Sequence, residues 1–304
     1  MKKSIIIIVA FIVPLLFCTC NDSQNPKKQE DNAQTVTQKK QFQNITVLLD
    51  LSDRIAKPNQ IDRDKELISV LFNLFEERQK MFGFIASRDK FSIAIASQKD
   101  NDLNLFKHKD ALVIDMSAKG MNKPKFDKAK VELLQSINSI YEDAVGKKTT
   151  GADIWTFFRD FAKNYIKSST EKIKFSNKFI IISDGYLVFD NDIAAQRSKR
   201  TFMSLSDVKS LRNKSDWEQQ FENKKFRLKA HENQNFENLQ VLMLEIKPEQ
   251  PEINTNEFKI IEKYWTSWFE DMGIEASIEA HEENIEITRN VISNYLKKKA
   301  SSSQ

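Results

Sequence analysis

The sequence predicts an α/β fold, a doubly wound and mostly parallel sheet with helices on both faces. Short apolar runs alternate along the chain with segments whose apolar residues fall at helical spacing. The strongest run, Phe179-Ile180-Ile181-Ile182, is apolar without alternation, as in a strand covered on both faces. A hydrophobic content of 40 %, with 22 Phe among 304 residues, is enough to fill the core of one large domain or two small ones.

The amino terminus reads as an export signal. Lys2 and Lys3 precede an apolar run from Ile5 to Phe17, a basic start followed by an h-region of signal-peptide length. The run is shorter than the roughly 20 apolar residues that span a bilayer. It ends in Leu16-Phe17-Cys18-Thr19-Cys20, which resembles the lipobox of bacterial lipoproteins, where a small residue precedes the lipidated cysteine. Thr19 before Cys20 fits that pattern better than Phe17 before Cys18. The resemblance implies cleavage after residue 19, acylation of Cys20 and attachment to a membrane of the bacterial cell envelope. Cys18 and Cys20 are the chain's two cysteines, so the mature protein forms no disulfide and relies on its core. Residues 20–42, rich in Gln, Asn, Lys and Asp, read as a flexible tether with an end-to-end distance of roughly 25 Å.

The folded domain is expected over residues 43–299, with a disordered tail at 300–304. Ile45 to Leu49 reads as the first strand, and Gln60 to Phe82 as a helix with Leu67, Val70, Leu71, Leu74 and Phe75 on one face. Strands follow at Phe91 to Ala96 and Ala111 to Ile114, then helices at Phe126 to Val145 and Ile154 to Ile166. In the latter, Ile154, Phe157, Phe158, Phe161 and Tyr165 share a face. Phe179 to Ile182 is the fourth strand. The pattern then weakens over about 186–237, which reads as an insertion containing a helix from Ser206 to Phe221. A strand at Val241 to Leu244, a helix carrying Phe258, Ile261, Trp265 and Trp268, a strand at Ile274 to Ile278 and a helix from Asn284 to Lys298 complete the order. The aromatic stripes are core positions.

The formal charge of +4 falls to +2 when Lys2 and Lys3 leave with the signal. Acidic and basic residues are interspersed, without a basic stripe carrying interleaved aromatics, so nucleic-acid binding is not expected. Lys297, Lys298 and Lys299 suit the end of a helix.

Doubly wound sheets bind ligands outside the carboxyl ends of their strands. There the sequence places Asp50-Leu51-Ser52-Asp53-Arg54 after the first strand and Ser183-Asp184-Gly185-Tyr186 after the fourth. Thr149-Thr150-Gly151-Ala152-Asp153 precedes a helix. Such hard oxygen donors suit Mg²⁺. The order of these segments resembles the von Willebrand factor A (vWA) family, whose metal-ion-dependent adhesion site combines an Asp-x-Ser-x-Ser loop, a later Thr and an Asp-Gly. The resemblance implies Asp50, Ser52, Thr150 (or Thr149) and Asp184 as ligands. It also implies a protein partner, unidentified, contacted near Arg54 and Tyr186. Two departures stand out. Arg54 occupies the place of the second loop serine, and a guanidinium cannot coordinate a cation. Ala152 takes the ligand position if Gly-Ala-Asp is the aligned segment. Either Mg²⁺ is held, or Arg54 pairs with Asp184 or Asp50 and replaces it. Phe189, Arg197, Arg200 and Phe202 of the insertion are candidate partner contacts.

Catalytic signals are thin. His108, His231 and His281 are scattered and read as surface residues, and no nucleophile elbow or Gly-rich phosphate loop is present. No enzyme activity is expected. The alternatives are a phosphatase-like hydrolase, with Asp50 as nucleophile and Asp184 as Mg²⁺ ligand, and a structural envelope protein without a ligand at this site.

Overall fold

The computed structural model describes residues 41–96, 110–145, 151–187, 203, 205–223, 226–232, 236, 238–249 and 256–299. The signal segment, Cys20, the tether up to residue 40, Thr149, Thr150, His108, Phe189, Arg197, Arg200 and Phe202 lie outside them, as does the tail at 300–304.

Six strands form one sheet: β1 (Gln41–Leu49), β2 (Lys90–Ile95), β3 (Val113–Asp115), β4 (Lys174–Ile182), β5 (Leu239–Ile246) and β6 (Glu275–Ala280). Their order is β3-β2-β1-β4-β5-β6. All neighbours run parallel except β3, which is antiparallel to β2. The expected adjacency of the first and fourth strands is observed, with Thr46 opposite Phe179 and Leu49 opposite Ile182.

Strand side chains alternate between faces, and each face has its own core. On one, Ile45, Val47, Ile180 and Ile182 pack with Leu71 and Phe75 of α1 (Gln60–Phe82), Phe126 and Leu133 of α2 (Lys123–Val145), and Ile292 of α7 (Ile285–Lys297). On the other, Leu48, Phe179 and Ile181 join Phe158 of α3 (Ile154–Asp160) and Trp265 and Trp268 of α6 (Asn256–Asp271). Val208 and Leu211 of α4 (Leu205–Arg212) and Trp217 and Phe221 of α5 (Trp217–Asn223) belong to this second core. The described part of the segment read as an insertion therefore builds the crossover layer between β4 and β5.

Three local readings change. The single helix expected at Ser206 to Phe221 is two, α4 and α5. The helix expected to reach Ile166 stops at Asp160, and a 3-10 turn follows from Ala162 to Tyr165. Side chains capture the backbone beyond that break. Asn44 Nδ2 donates to the Tyr165 carbonyl (2.5 Å), and Asn177 Oδ1 accepts from the Lys167 N–H (2.9 Å). Phe161 is consequently 44 % exposed rather than part of the apolar face. Finally, β1 begins at Gln41, two residues inside the segment read as tether.

Candidate functional site

Strand order reverses between β1 and β4, and the crevice beyond the carboxyl ends of such a pair is where a doubly wound sheet receives ligands. Asp50 leaves β1 with its N–H donating to the Ile182 carbonyl (3.1 Å), so the sheet itself sets its position. Its carboxylate accepts from the Ser52 N–H (2.9 Å) and from the Ser183 hydroxyl (2.7 Å). The Ser183 oxygen in turn accepts from the Gly185 N–H at 3.1 Å. These bonds tie the two strand ends together. Ser52 is buried, and its hydroxyl makes no capping bond to the turn it starts.

The glycine after Asp184 is a packing requirement. Gly185 has φ +93°, and a Cβ there would lie 2.8 Å from Ile261 and 2.9 Å from Ile246. Its carbonyl accepts from the Trp265 indole at 2.9 Å, which locks the turn against α6.

Arg54 does not occupy the crevice. The 3-10 turn at Asp53–Ala56 rotates it into the interior, where it is 2 % exposed. Its main partner is Asp64 of α1, at 3.3 Å from Nη1 to Oδ1 and 2.6 Å from Nη2 to Oδ2. Its Nε donates to the Asp50 carbonyl (2.9 Å) and lies 3.7 Å from the Asp50 carboxylate. So enclosed a group offers nothing to a docking protein, which corrects the expected partner contact at Arg54. The expected pairing with Asp50 is present as a longer contact, while Asp64 takes the guanidinium's fork.

Burial pushes Asp64 above the usual carboxylate range against the pull of Arg54, Gln60 and Tyr141. All three neighbours nevertheless donate to it, Gln60 Nε2 at 3.0 Å and the Tyr141 hydroxyl at 2.9 Å, an arrangement that favours the ionised carboxylate. Burial also opposes the charge on Arg54, but Asp64 first and Asp50 next outweigh it and hold the guanidinium's pKa above its ordinary value.

The cation facing Asp184 is Lys57, whose Nζ lies 3.2 Å from Oδ2 on a half-exposed side chain. Burial and then the neighbouring Asp50 push the Asp184 carboxyl up, while Lys57 and Arg54 oppose the shift. Tyr186 Oη donates to Glu257 Oε1 (2.6 Å), which also receives Arg212 Nη2 at 2.7 Å. Burial and this carboxylate raise the Tyr186 phenol far above its ordinary pKa, so it stays a neutral donor.

Asp50, Ser52 and Asp184 thus share one edge as expected, while Thr150 lies outside the described residues. The donors among the described residues, Asp50, Ser52 and Asp184, do not by themselves fit Mg²⁺. Both Asp50 oxygens accept hydrogen bonds within the fold, an ammonium stands on Asp184, and a guanidinium replaces the second loop serine. A divalent ion on Asp184 would have to displace Lys57. Among the described residues, no three His, Cys, Asp or Glu side chains cluster to hold a metal.

Sequence reasoning missed Lys57 and Asp64. Lys57 lies in the same strand-end segment as Asp50. Asp64 falls on the buried stripe of α1 with Leu67, Ile68 and Leu71, where a charge signals a partner. The histidines also differ from expectation. His231 is half-buried against Trp155, and burial lowers its pKa to about 4. His281 Nδ1 lies 2.6 Å from Glu245 Oε2, a buried carboxylate on a residue with φ +71°. No protein-family model matches the chain, and a search of curated proteins finds no matching relative.

Proposed function

We propose that the chain is a membrane-anchored interaction module of the vWA type that receives an acidic group of a protein partner without a metal ion. The observation that carries this reading is the Lys57–Asp184 contact at 3.2 Å. It puts a tethered, half-exposed positive charge at the switch point, where a partner's carboxylate can compete for it. The order of Asp50, Ser52 and Asp184-Gly185 along one sheet edge supports the family resemblance. The lipobox ending at Cys20 supports anchoring in the envelope. Asp50 accepts two hydrogen bonds inside the fold, which suits a positioning group better than a nucleophile, and a binding role is accordingly preferred to hydrolysis.

The test has two arms. Calorimetric titration of the protein with Mg²⁺ should give no saturable heat, with Asp184→Ala behaving alike. Envelope proteins retained by the immobilised chain should be the same in Mg²⁺ and in chelator, and should be lost with Lys57→Glu. Retention that requires Mg²⁺, or saturable Mg²⁺ binding lost in Asp184→Ala, would replace this reading with a metal-dependent site.

A further inference from the structure

The edge of the sheet opposite the crevice carries an exposed apolar and basic surface. α1 starts near the crevice and ends at this amino edge. Its last turn and the turn after it expose Met81 (77 %), Phe82 (38 %) and Ile85 (85 %). Three large apolar side chains within five residues form a patch, not scattered exposure.

Basic residues share the edge. Arg88 precedes β2, Lys172 precedes β4, and Lys174 opens β4 directly opposite Gln41. Lys297 ends α7 and Lys299 follows it; the helix's last turn is fixed here because Gln43 Nε2 donates to the Leu296 carbonyl at 2.6 Å. These five side chains are exposed and have no ion-pair partner among the described residues. Nearby carboxylates are already engaged, Glu76 with Lys80 and Lys130, Glu77 with Arg289, and Glu275 with Lys298. Glu171, exposed beside Lys172, and Glu270, at the end of α6, are exceptions.

The tether joins the fold at this place. The Gln41 carbonyl accepts from Arg78 Nη2 at 2.9 Å, and the same guanidinium lies 4.5 Å over the Phe82 ring. Gln41, where β1 begins, is therefore one side chain away from the apolar patch.

We propose that this amino edge docks on the membrane that holds the lipidated Cys20. Met81 and Ile85 enter the interfacial region, and Arg88, Lys172 and Lys174 face anionic headgroups. The proposal rests on the lipoprotein reading. A patch this small would bind a bilayer weakly by itself. Tethering makes the contact intramolecular and raises its effective concentration. The basic residues add an attraction that acts within a Debye length of an anionic surface. The geometry turns the Asp50–Asp184 crevice away from the bilayer.

The experiment uses the full, lipidated chain in vesicles of phosphatidylcholine and phosphatidylglycerol, some lipids carrying a quencher on the acyl chain. Once Cys20 is acylated, an introduced cysteine is the sole thiol for a fluorescent label. Ile85→Cys places the label in the patch. Ile287→Cys, at a 49 % exposed apolar position in the first turn of α7, places it at the opposite edge. The label at position 85 should be quenched severalfold more than that at 287, and the difference should shrink in molar salt or neutral vesicles. Equal quenching at both positions, in protein that floats with the vesicles, would overturn the docking. Wild-type protein that fails to float, or Cys20→Ala protein that floats as well as wild type, would remove the anchor and the proposal with it.

Discussion

Arg54 and Asp64 form a buried pair, 2.6 Å at its shorter contact, that fastens the loop after β1 to the first turns of α1. Both side chains are at most 1 % exposed. Removing one partner strands a charge in the interior, so Asp64→Ala or Arg54→Ala should lose about 3–5 kcal/mol of stability. The double variant Arg54→Met with Asp64→Leu should recover most of it. Urea midpoints of the four proteins measure this, and single-variant losses under ~1 kcal/mol would show that water reaches the pair.

The glycine of the Asp-Gly turn is tested against another with similar backbone strain and more room. Gly273 has φ +70° and nothing within 4 Å of where a Cβ would sit, whereas a Cβ on Gly185 would meet Ile261 and Ile246. Gly273→Ala should cost about 1 kcal/mol or somewhat more, from strain alone. Gly185→Ala should cost about 1–3 kcal/mol beyond that, because two core side chains must move. Equal unfolding midpoints for the two variants would contradict the close packing of the turn.

Asp184 should reduce stability at neutral pH. Its pKa is raised in the folded state, chiefly by burial and then by Asp50. A raised acid favours folding below its ordinary value of 3.8, and that contribution is lost as pH rises through the folded pKa. Asp184→Asn should therefore unfold at higher denaturant than wild type near neutral pH, with the gap closing in acid. A less stable Asp184→Asn at neutral pH would mean that the Lys57 contact outweighs burial.

Lys178 provides a second pH signature at the other edge. Its ammonium is fully buried and donates to Gln240 Oε1, to the Tyr295 carbonyl (3.0 Å) and to the Lys298 carbonyl (2.7 Å). Burial lowers its pKa from 10.5 to about 8. Between those values the unfolded chain binds more protons, so stability rises with pH across that window. The rise should be no more than roughly 3 kcal/mol, since three oxygens favour the ammonium. Lys178→Met should abolish the rise. It should also speed amide exchange in the last turn of α7, which would lose its donor. A pH profile identical to wild type would show that Lys178 does not titrate in that window.

How much of this was legible depends on whether a residue's neighbours are local. The six strands and the helix at Gln60–Phe82 could be read because burial on both sheet faces and on one helix face leaves a repeating apolar pattern. The adjacency of β1 and β4 followed from the architecture, and with it the meeting of Asp50 and Asp184. The break after Asp160 could not be read, since Asn44, far away in sequence, and Asn177, on the following strand, hold the chain beyond it. Arg54 was misjudged for the same reason. Its direction is set by Asp64, which Tyr141 also holds, and a short motif contains neither.

A parallel sheet has a polarity that no loop can undo. β1 takes the chain in at Gln41 and delivers it to Asp50 after nine residues of extended backbone. At ~3.3 Å per residue this strand is a stiff spacer of about 30 Å. With the amino edge docked as proposed, whatever occupies the crevice is held at about that distance from the headgroups beneath Gln41. On that proposal a partner reaches the crevice from the side away from the bilayer, as a soluble protein does, or as one rooted in another layer of the envelope does when it projects toward this one.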